Sequence, residues 1–214
     1  MELIKYLFDL FLHLDVHLNI IINQYGTLTY IILFLVIFCE TGLVVTPFLP
    51  GDSLIFAAAT FAARGALNVN YLFLILASAS FLGDTVNYWI GHFLGPKIFH
   101  KENVRFLKKE YLDRTHKFYE TYGAKTVLFA RFIPIIRTFA PFVAGIGSMT
   151  YSKFVAYIIL GAVSWVAIFA YGGFYFGNIE FIKNNFSLVI IAVICISLVP
   201  GIVGYLKQRA HLDN

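Results

Sequence analysis

Apolar positions run through this chain in long uninterrupted blocks and not in alternation. Stretches without Asp, Glu, Lys or Arg cover 16–39, 65–83, 154–179 and 184–206, and about 20 such residues suffice to cross the hydrocarbon core as a helix. The second block continues to Pro96 with only Asp84 inside it. The pattern predicts four membrane-spanning helices, the first entered from an interfacial N-terminal segment over 1–25. Two further apolar stretches, 40–64 and 126–150, read differently because prolines break them. Pro47, Pro50 and Gly51 interrupt the first, and Pro134 and Pro141 interrupt the second, with Gly145 and Gly147 following. Proline removes a helical hydrogen bond and clashes with the preceding turn. Broken backbone at membrane depth survives only where protein or a wet cavity satisfies it. Both stretches are therefore expected to form re-entrant helical hairpins, with Ser53 and Asp52 after Pro50-Gly51 opening one half-helix and Thr138 with Pro141 opening the other.

Between the second span and the second hairpin, residues 97–125 are too charged to enter a bilayer. Val104, Leu107, Tyr111 and Phe118 recur at helical spacing opposite Arg105, Lys108, Lys109 and Lys117, the pattern of an amphipathic interfacial helix. A shift of 82 residues, without a gap, lays Gly65, Gly91 and Gly95 on Gly147, Gly173 and Gly177 and puts the two broken stretches in corresponding places. Alternating the spans then gives the halves opposite orientations, and paired interrupted segments of this kind point to a transporter's binding site near the midplane. The expected fold is a single all-α polytopic membrane domain over 1–214: four spans plus two opposed hairpins in an inverted repeat.

Composition removes the soluble alternatives. Hydrophobic residues make up 59% and charged residues 13% of the 214, and the mean hydropathy of +0.78 leaves no polar coat for a water-soluble globule. The segment 97–125 holds eight basic and four acidic residues, which accounts for the whole net charge of +4. By the positive-inside rule it is expected in the cytoplasm, with the Lys207 and Arg209 tail. A half-balanced loop between spans is not a nucleic-acid surface. Cys39 and Cys195 lack any CxxC spacing and read as buried core thiols. His13, Asp15 and His17 resemble a metal cluster on paper, but on a helix Asp15 faces away from both histidines, so no metal site is expected. Arg64 and Lys153, at the ends of apolar stretches, are expected to snorkel.

Four ionisable residues stand where charge is expensive: Glu40, Asp52, Arg131 and Arg137, all in or beside the hairpins. A charge at the bilayer centre costs about 2.5–3.5 kcal/mol on insertion scales, so four unpaired ones would cost about 10–14 kcal/mol. Two carboxylates from one hairpin meeting two guanidiniums from the other would form a neutral set. Arginine at both basic positions suits bidentate recognition of an oxyanion such as phosphate. Desolvated carboxyls beside another negative charge bind protons more readily, which makes Glu40 and Asp52 candidate proton carriers. Asp84, one turn before Tyr88, is expected in a structural role, and no nucleophile, general base and orienting residue fall together as an enzyme or cofactor site would need.

At these residues the chain resembles a known family. Glu40 through Pro47, Pro50, Gly51 and Asp52, then Gly83 to Gly95 with Tyr88, then Phe129-Ala130-Arg131-Phe132-Ile133-Pro134 and Arg137-Thr138-Phe139-Ala140-Pro141-Phe142 with Ala144-Gly145 look like the DedA family of bacterial membrane proteins. The resemblance implies the VTT fold and transport of polyisoprenyl phosphate carriers, notably undecaprenyl phosphate, across the cytoplasmic membrane. Glu40, Asp52, Arg131 and Arg137 match the family's functional acidic and basic positions, with substrate binding expected at Arg131 and Arg137 and proton coupling at Glu40 and Asp52; Thr138, at the expected start of the second half-helix, is the further substrate-binding candidate. Pro47, Pro50, Gly51, Asp84, Tyr88, Pro134, Pro141 and Gly145 are the expected hairpin and structural positions. The implied partners are an anionic lipid phosphate, protons and membrane lipids, with a homo-oligomer allowed. A proton-coupled carrier of a small solute or ion is the alternative reading.

Overall fold

The structure is a computed structural model, and it describes residues 14–43, 51–99, 125–197 and 199. Among them every regular element is helical. The first helix, α1 (Leu14–Tyr25), stops where Gly26 adopts φ 53, and a 3-10 turn at Gly26–Leu28 leads into α2 (Thr29–Gly42). Thr29, fully buried, donates its hydroxyl to the Ile21 carbonyl across this joint. The described part of the expected interfacial segment 1–25 is thus α1, and Leu14–Gly42 forms one apolar stretch of 29 residues, long enough to cross a membrane.

A 13-residue helix, α3 (Gly51–Ala63), follows, with Gly51 through Ala62 all buried. At about 1.5 Å per residue it is about 20 Å long, too short to cross a bilayer. It ends in a Schellman turn: Gly65 at φ 83 gives its N–H to the Ala62 carbonyl and Ala66 gives its own to Phe61. The long α4 (Val69–Phe99) then starts at Asn68, whose side-chain oxygen accepts the N–H groups of Asn70 and Tyr71 at 2.9 and 3.2 Å.

The second broken stretch shows helix, break and helix: α5 (Lys125–Ala130), a turn at 131–133, and α6 (Pro134–Ile146). The break lies one step earlier than expected. Pro134 opens α6 at its first turn, where a missing N–H has no helical partner to lose, while Pro141 sits inside the helix. Thr138 and Pro141 therefore do not open a half-helix. The remaining elements are α7 (Tyr151–Phe176), a short α8 (Glu180–Asn184) and α9 (Phe186–Ser197). Val69–Gly95 and Tyr151–Phe176 join Leu14–Gly42 as helices long and apolar enough to span. Of the fourth expected span, 184–206, only the 12-residue α9 is described apart from Asn184, Asn185 and Val199. Pro47 and Pro50, His13, the amphipathic helix up to residue 124 and the basic tail lie outside the described residues.

The repeat is present with one adjustment. α6 also ends in a Schellman turn, but the left-handed residue is Ser148 at φ 52, with Ser148 N–H on Gly145 and Met149 N–H on Ala144. Gly65 thus corresponds to Ser148 and not to Gly147. The helix starts at Val69 and Tyr151 remain 82 apart, so the second connection is one residue shorter and the alignment needs a single gap.

The chain forms two compact units. One comprises residues up to Val36, Leu49–Ala77 and Trp165 onward; within it α3 crosses α7, and Gly173 and Gly177 lie against the backbone of Phe56 and Thr60. Asn178 closes the end of α3 by donating to the Ala63 carbonyl at 2.9 Å. The other unit comprises Ile37–Phe48 and Ser78–Ser164; within it α6 crosses α4, and Gly91 and Gly95 lie against the backbone of Phe142 and Ile146. Each glycine pair aligned in the sequence serves a helix crossing in its own unit, where a Cβ would strike backbone at Gly91, Gly173 and Gly177 and crowd the Ile146 backbone at Gly95. Tyr88, Val127, Ala144, Met149, Phe154 and Ile158 form the core of this second unit.

Candidate functional site

The site is built on one face of α4. Ser80, Asp84, Asn87 and Gly91 recur at helical spacing there, and the three polar residues are buried. Gly83 lets the last turn of α2 lie directly on α4: a Cβ at this position would overlap the Thr41 hydroxyl and stand 3.0 Å from the Phe38 carbonyl. That close approach brings Glu40 in beside α4. Further along the same helix Gly91, with Gly145 on α6, allows α6 to approach just as closely. Asn87 bolts the two together, giving one amide N–H to the Thr41 carbonyl at 3.0 Å and the other to the Thr138 carbonyl at 2.7 Å. The Thr138 carbonyl lies in the turn opened by Pro141, which has no N–H to offer the Arg137 carbonyl.

The neighbours of Thr41 and Thr138 are the charged pair. Glu40, 0% exposed, accepts from the Arg137 guanidinium in a buried ion pair. Arg137 lies in the first turn of α6, its backbone N–H on the Ile133 carbonyl at 2.9 Å. Arg131 occupies the break before α6. Its guanidinium pairs with Asp84 through one terminal nitrogen and donates to the Ser80 hydroxyl through the other. Gly161 on α7 makes room for its side chain: a Cβ there would meet Arg131 Nε at 3.0 Å. Tyr88 donates its hydroxyl to the Met149 carbonyl and ties α4 to the turn after α6.

Of the four charges singled out in the sequence, three are brought together in this unit: Glu40, Arg131 and Arg137. Asp84 joins them as a further carboxylate, paired with Arg131. Asp52 belongs to the other unit, in the first turn of α3, where the Trp165 indole N–H donates to it at 2.9 Å. Its position at the helix start follows from Pro50-Gly51 and suits a negative side chain. Sequence reasoning missed Ser80, Asn87, Gly161 and Trp165. The first two had a signal, a polar stripe on an otherwise apolar span; Gly161 and Trp165 match the composition of any membrane helix. The cysteines also differ from expectation, since Cys39 is half-buried and Cys195 exposed. On a membrane helix a thiol that faces lipid is as far from water as one in a protein core. Arg64 and Lys153 are exposed as expected, Arg64 over the Phe61 ring at 5.4 Å.

The profile of the VTT domain matches residues 49–175, which include Asp52, Asp84, Arg131 and Arg137. Protein DedA of Escherichia coli K12 is 48% identical over 211 residues, which cover 98% of this chain and 96% of that protein. The chain belongs to the DedA family of VTT-domain membrane proteins. The chain is also similar to an uncharacterized membrane protein, Rv0364, of Mycobacterium tuberculosis at 40% identity (79% of this chain, 75% of that one), and to the inner membrane protein YqjA of E. coli K12 at 31% (80% and 76%). No solved structure matches the chain. Glu40 precedes the matched VTT range yet lies within the nearly full-length similarity to DedA.

Proposed function

We propose that this DedA-family protein is a transporter, not an enzyme, that moves undecaprenyl phosphate or a related anionic polyisoprenyl phosphate between membrane leaflets with coupled protons. The observation that carries this reading is the pair of buried guanidiniums at the start of α6, each held by a buried carboxylate. Cations at a helix N-terminus oppose the positive end of its dipole, a place that favours an anion. Buried ion pairs also contribute little net stability, because desolvation offsets their attraction. The arrangement suits a site in which carboxylates stand in for an oxyanion that comes and goes. A proton on Glu40 weakens its hold on Arg137 and leaves the planar guanidinium to bind a phosphate oxygen pair; loss of the proton restores the pair and favours release. Asp52, fixed by Trp165, is the second proton carrier. The isoprenyl chain stays in the bilayer. The segment 97–125 and the C-terminus face the cytoplasm in this scheme, and the ends of the spans near 64–70 and 178–186 face outward.

The experiment is leaflet exchange of undecaprenyl phosphate by the purified chain in liposomes, run beside uptake of soluble phosphate. Exchange that accelerates with a pH gradient and fails in Arg137→Ala supports the reading. Uptake of soluble phosphate without lipid exchange would replace it with a small-anion carrier.

A further inference from the structure

The Arg131 pair is built differently from the Arg137 pair. Ser80 and Asp84 stand one turn apart on α4, 0% and 2% exposed, and take the two terminal nitrogens of one guanidinium. A phosphate would take the same two nitrogens with two of its oxygens. The Ser80 hydroxyl oxygen and the Asp84 carboxylate therefore imitate, at one guanidinium, the shape and part of the charge of the headgroup. Arg131 reaches them across Gly161, from the break before α6. We propose that Ser80 and Asp84 are an internal competitor for the phosphate: they occupy Arg131 in the empty carrier, are displaced when the headgroup binds, and by returning drive its release. The inference rests on the lipid-phosphate reading and adds two residues to it.

The competition fixes the direction of each effect. In Asp84→Asn the amide keeps the shape but not the charge, so the empty state holds Arg131 less well and an external anion gains. Binding of a phosphate headgroup should tighten about tenfold or more, while leaflet exchange slows because release lacks its driving partner. Ser80→Ala removes one neutral acceptor and should tighten binding by a smaller factor, about two- to fivefold.

The test uses the full chain in detergent, titrated with inorganic phosphate and separately with undecaprenyl phosphate, with melting temperature recorded for every variant and exchange measured in liposomes. Tightening toward either probe with slower exchange supports the inference, and the probe that tightens more tells whether the headgroup comes from lipid or from solution. Unchanged or weaker binding in Asp84→Asn at a wild-type melting temperature overturns it. Should Asp84→Asn unfold, Ser80→Ala decides in the same way: tighter binding supports, equal or weaker binding overturns. The parent reading fails separately, if wild type binds neither probe and Arg137→Ala changes nothing. Wild-type binding that Arg137→Ala abolishes and Asp84→Asn does not tighten leaves the parent reading standing and removes only the competitor.

Discussion

Gly172 and Gly173 are consecutive on α7, yet alanine at the two positions should act in opposite directions. A Cβ on Gly172 meets nothing within 4 Å. Alanine there removes the backbone entropy cost of glycine in a helix, about 0.8–1 kcal/mol. A Cβ on Gly173 would stand 2.9 Å from the Ala59 Cβ and closer still to the Phe56 carbonyl oxygen, both parts of α3 that cannot swing aside. A carbon and a carbonyl oxygen normally stay about 3.3 Å or more apart, so α3 must shift by about 1 Å. Overpacking of this kind costs about 1–3 kcal/mol, and immovable neighbours put Gly173 at the upper end, a net loss of about 2 kcal/mol once the propensity gain is set against it. For a chain of this size 1 kcal/mol moves the melting temperature by about 2–4 °C. Gly172→Ala should therefore melt about 2–4 °C higher than wild type and Gly173→Ala about 4–8 °C lower, followed by circular dichroism of the purified protein in detergent. Equal shifts of the same sign, or a Gly173→Ala protein as stable as wild type, would refute the helix crossing and the repeat that depends on it.

Other outcomes follow from the same geometry. Gly91→Ala, the counterpart of Gly173 in the other unit, faces the Phe142 backbone and should lose stability to a similar degree in the same melting assay. Trp165→Phe keeps an aromatic ring but deprives Asp52 of its indole donor. A hydrogen bond to a charged group contributes about 1.5–3 kcal/mol, so the variant should melt about 3–12 °C lower than wild type; an unchanged melting temperature would refute it. Glu40→Gln should transport without responding to a pH gradient, and an unchanged pH response at normal expression would remove Glu40 from coupling. Cysteines at Asn68 and Asn185 should react with an impermeant reagent outside intact cells, whereas one at Lys108 should not, and outside labelling of Lys108 would invert the topology.

The short helices of the broken stretches and three long apolar helices were legible because proline, glycine and uninterrupted apolar runs act locally, within a turn or two of where they stand. Pro134 and Pro141 show where that reasoning fails. Both break the pattern equally on paper, but Pro134 starts α6 while Pro141 sits inside it, and the local pattern does not tell the two apart. The glycine repeat was also legible, apart from a register slip, since Ser148 takes a left-handed conformation that the sequence alone would assign to Gly147. For the site, the charges announced themselves by their cost, and Glu40, Arg131 and Arg137 do converge. Their pairing did not, because matching two acids with two arginines by hairpin overlooks the span between them. Asp84 was visible, but its partnership with Arg131 depends on where α4 carries it, and the role of Trp165 depends on a contact 113 residues away.

In the lipid-phosphate proposal, buried arginine holds the headgroup by its planar fork and not as a bare charge. Arg137→Lys tests it most cleanly. Arg131 uses two nitrogens on two protein partners, so lysine there disturbs the fold as well, whereas Arg137 faces Glu40, which a lysine ammonium can still neutralise. Undecaprenyl-phosphate binding and leaflet exchange should be measured for wild type and Arg137→Lys in liposomes, with melting temperature taken on the same preparations. Arg137→Lys should keep a near-wild-type melting temperature while binding weakens by about tenfold to a hundredfold, the loss of one charge-assisted hydrogen bond. Equal binding by the two proteins would contradict it.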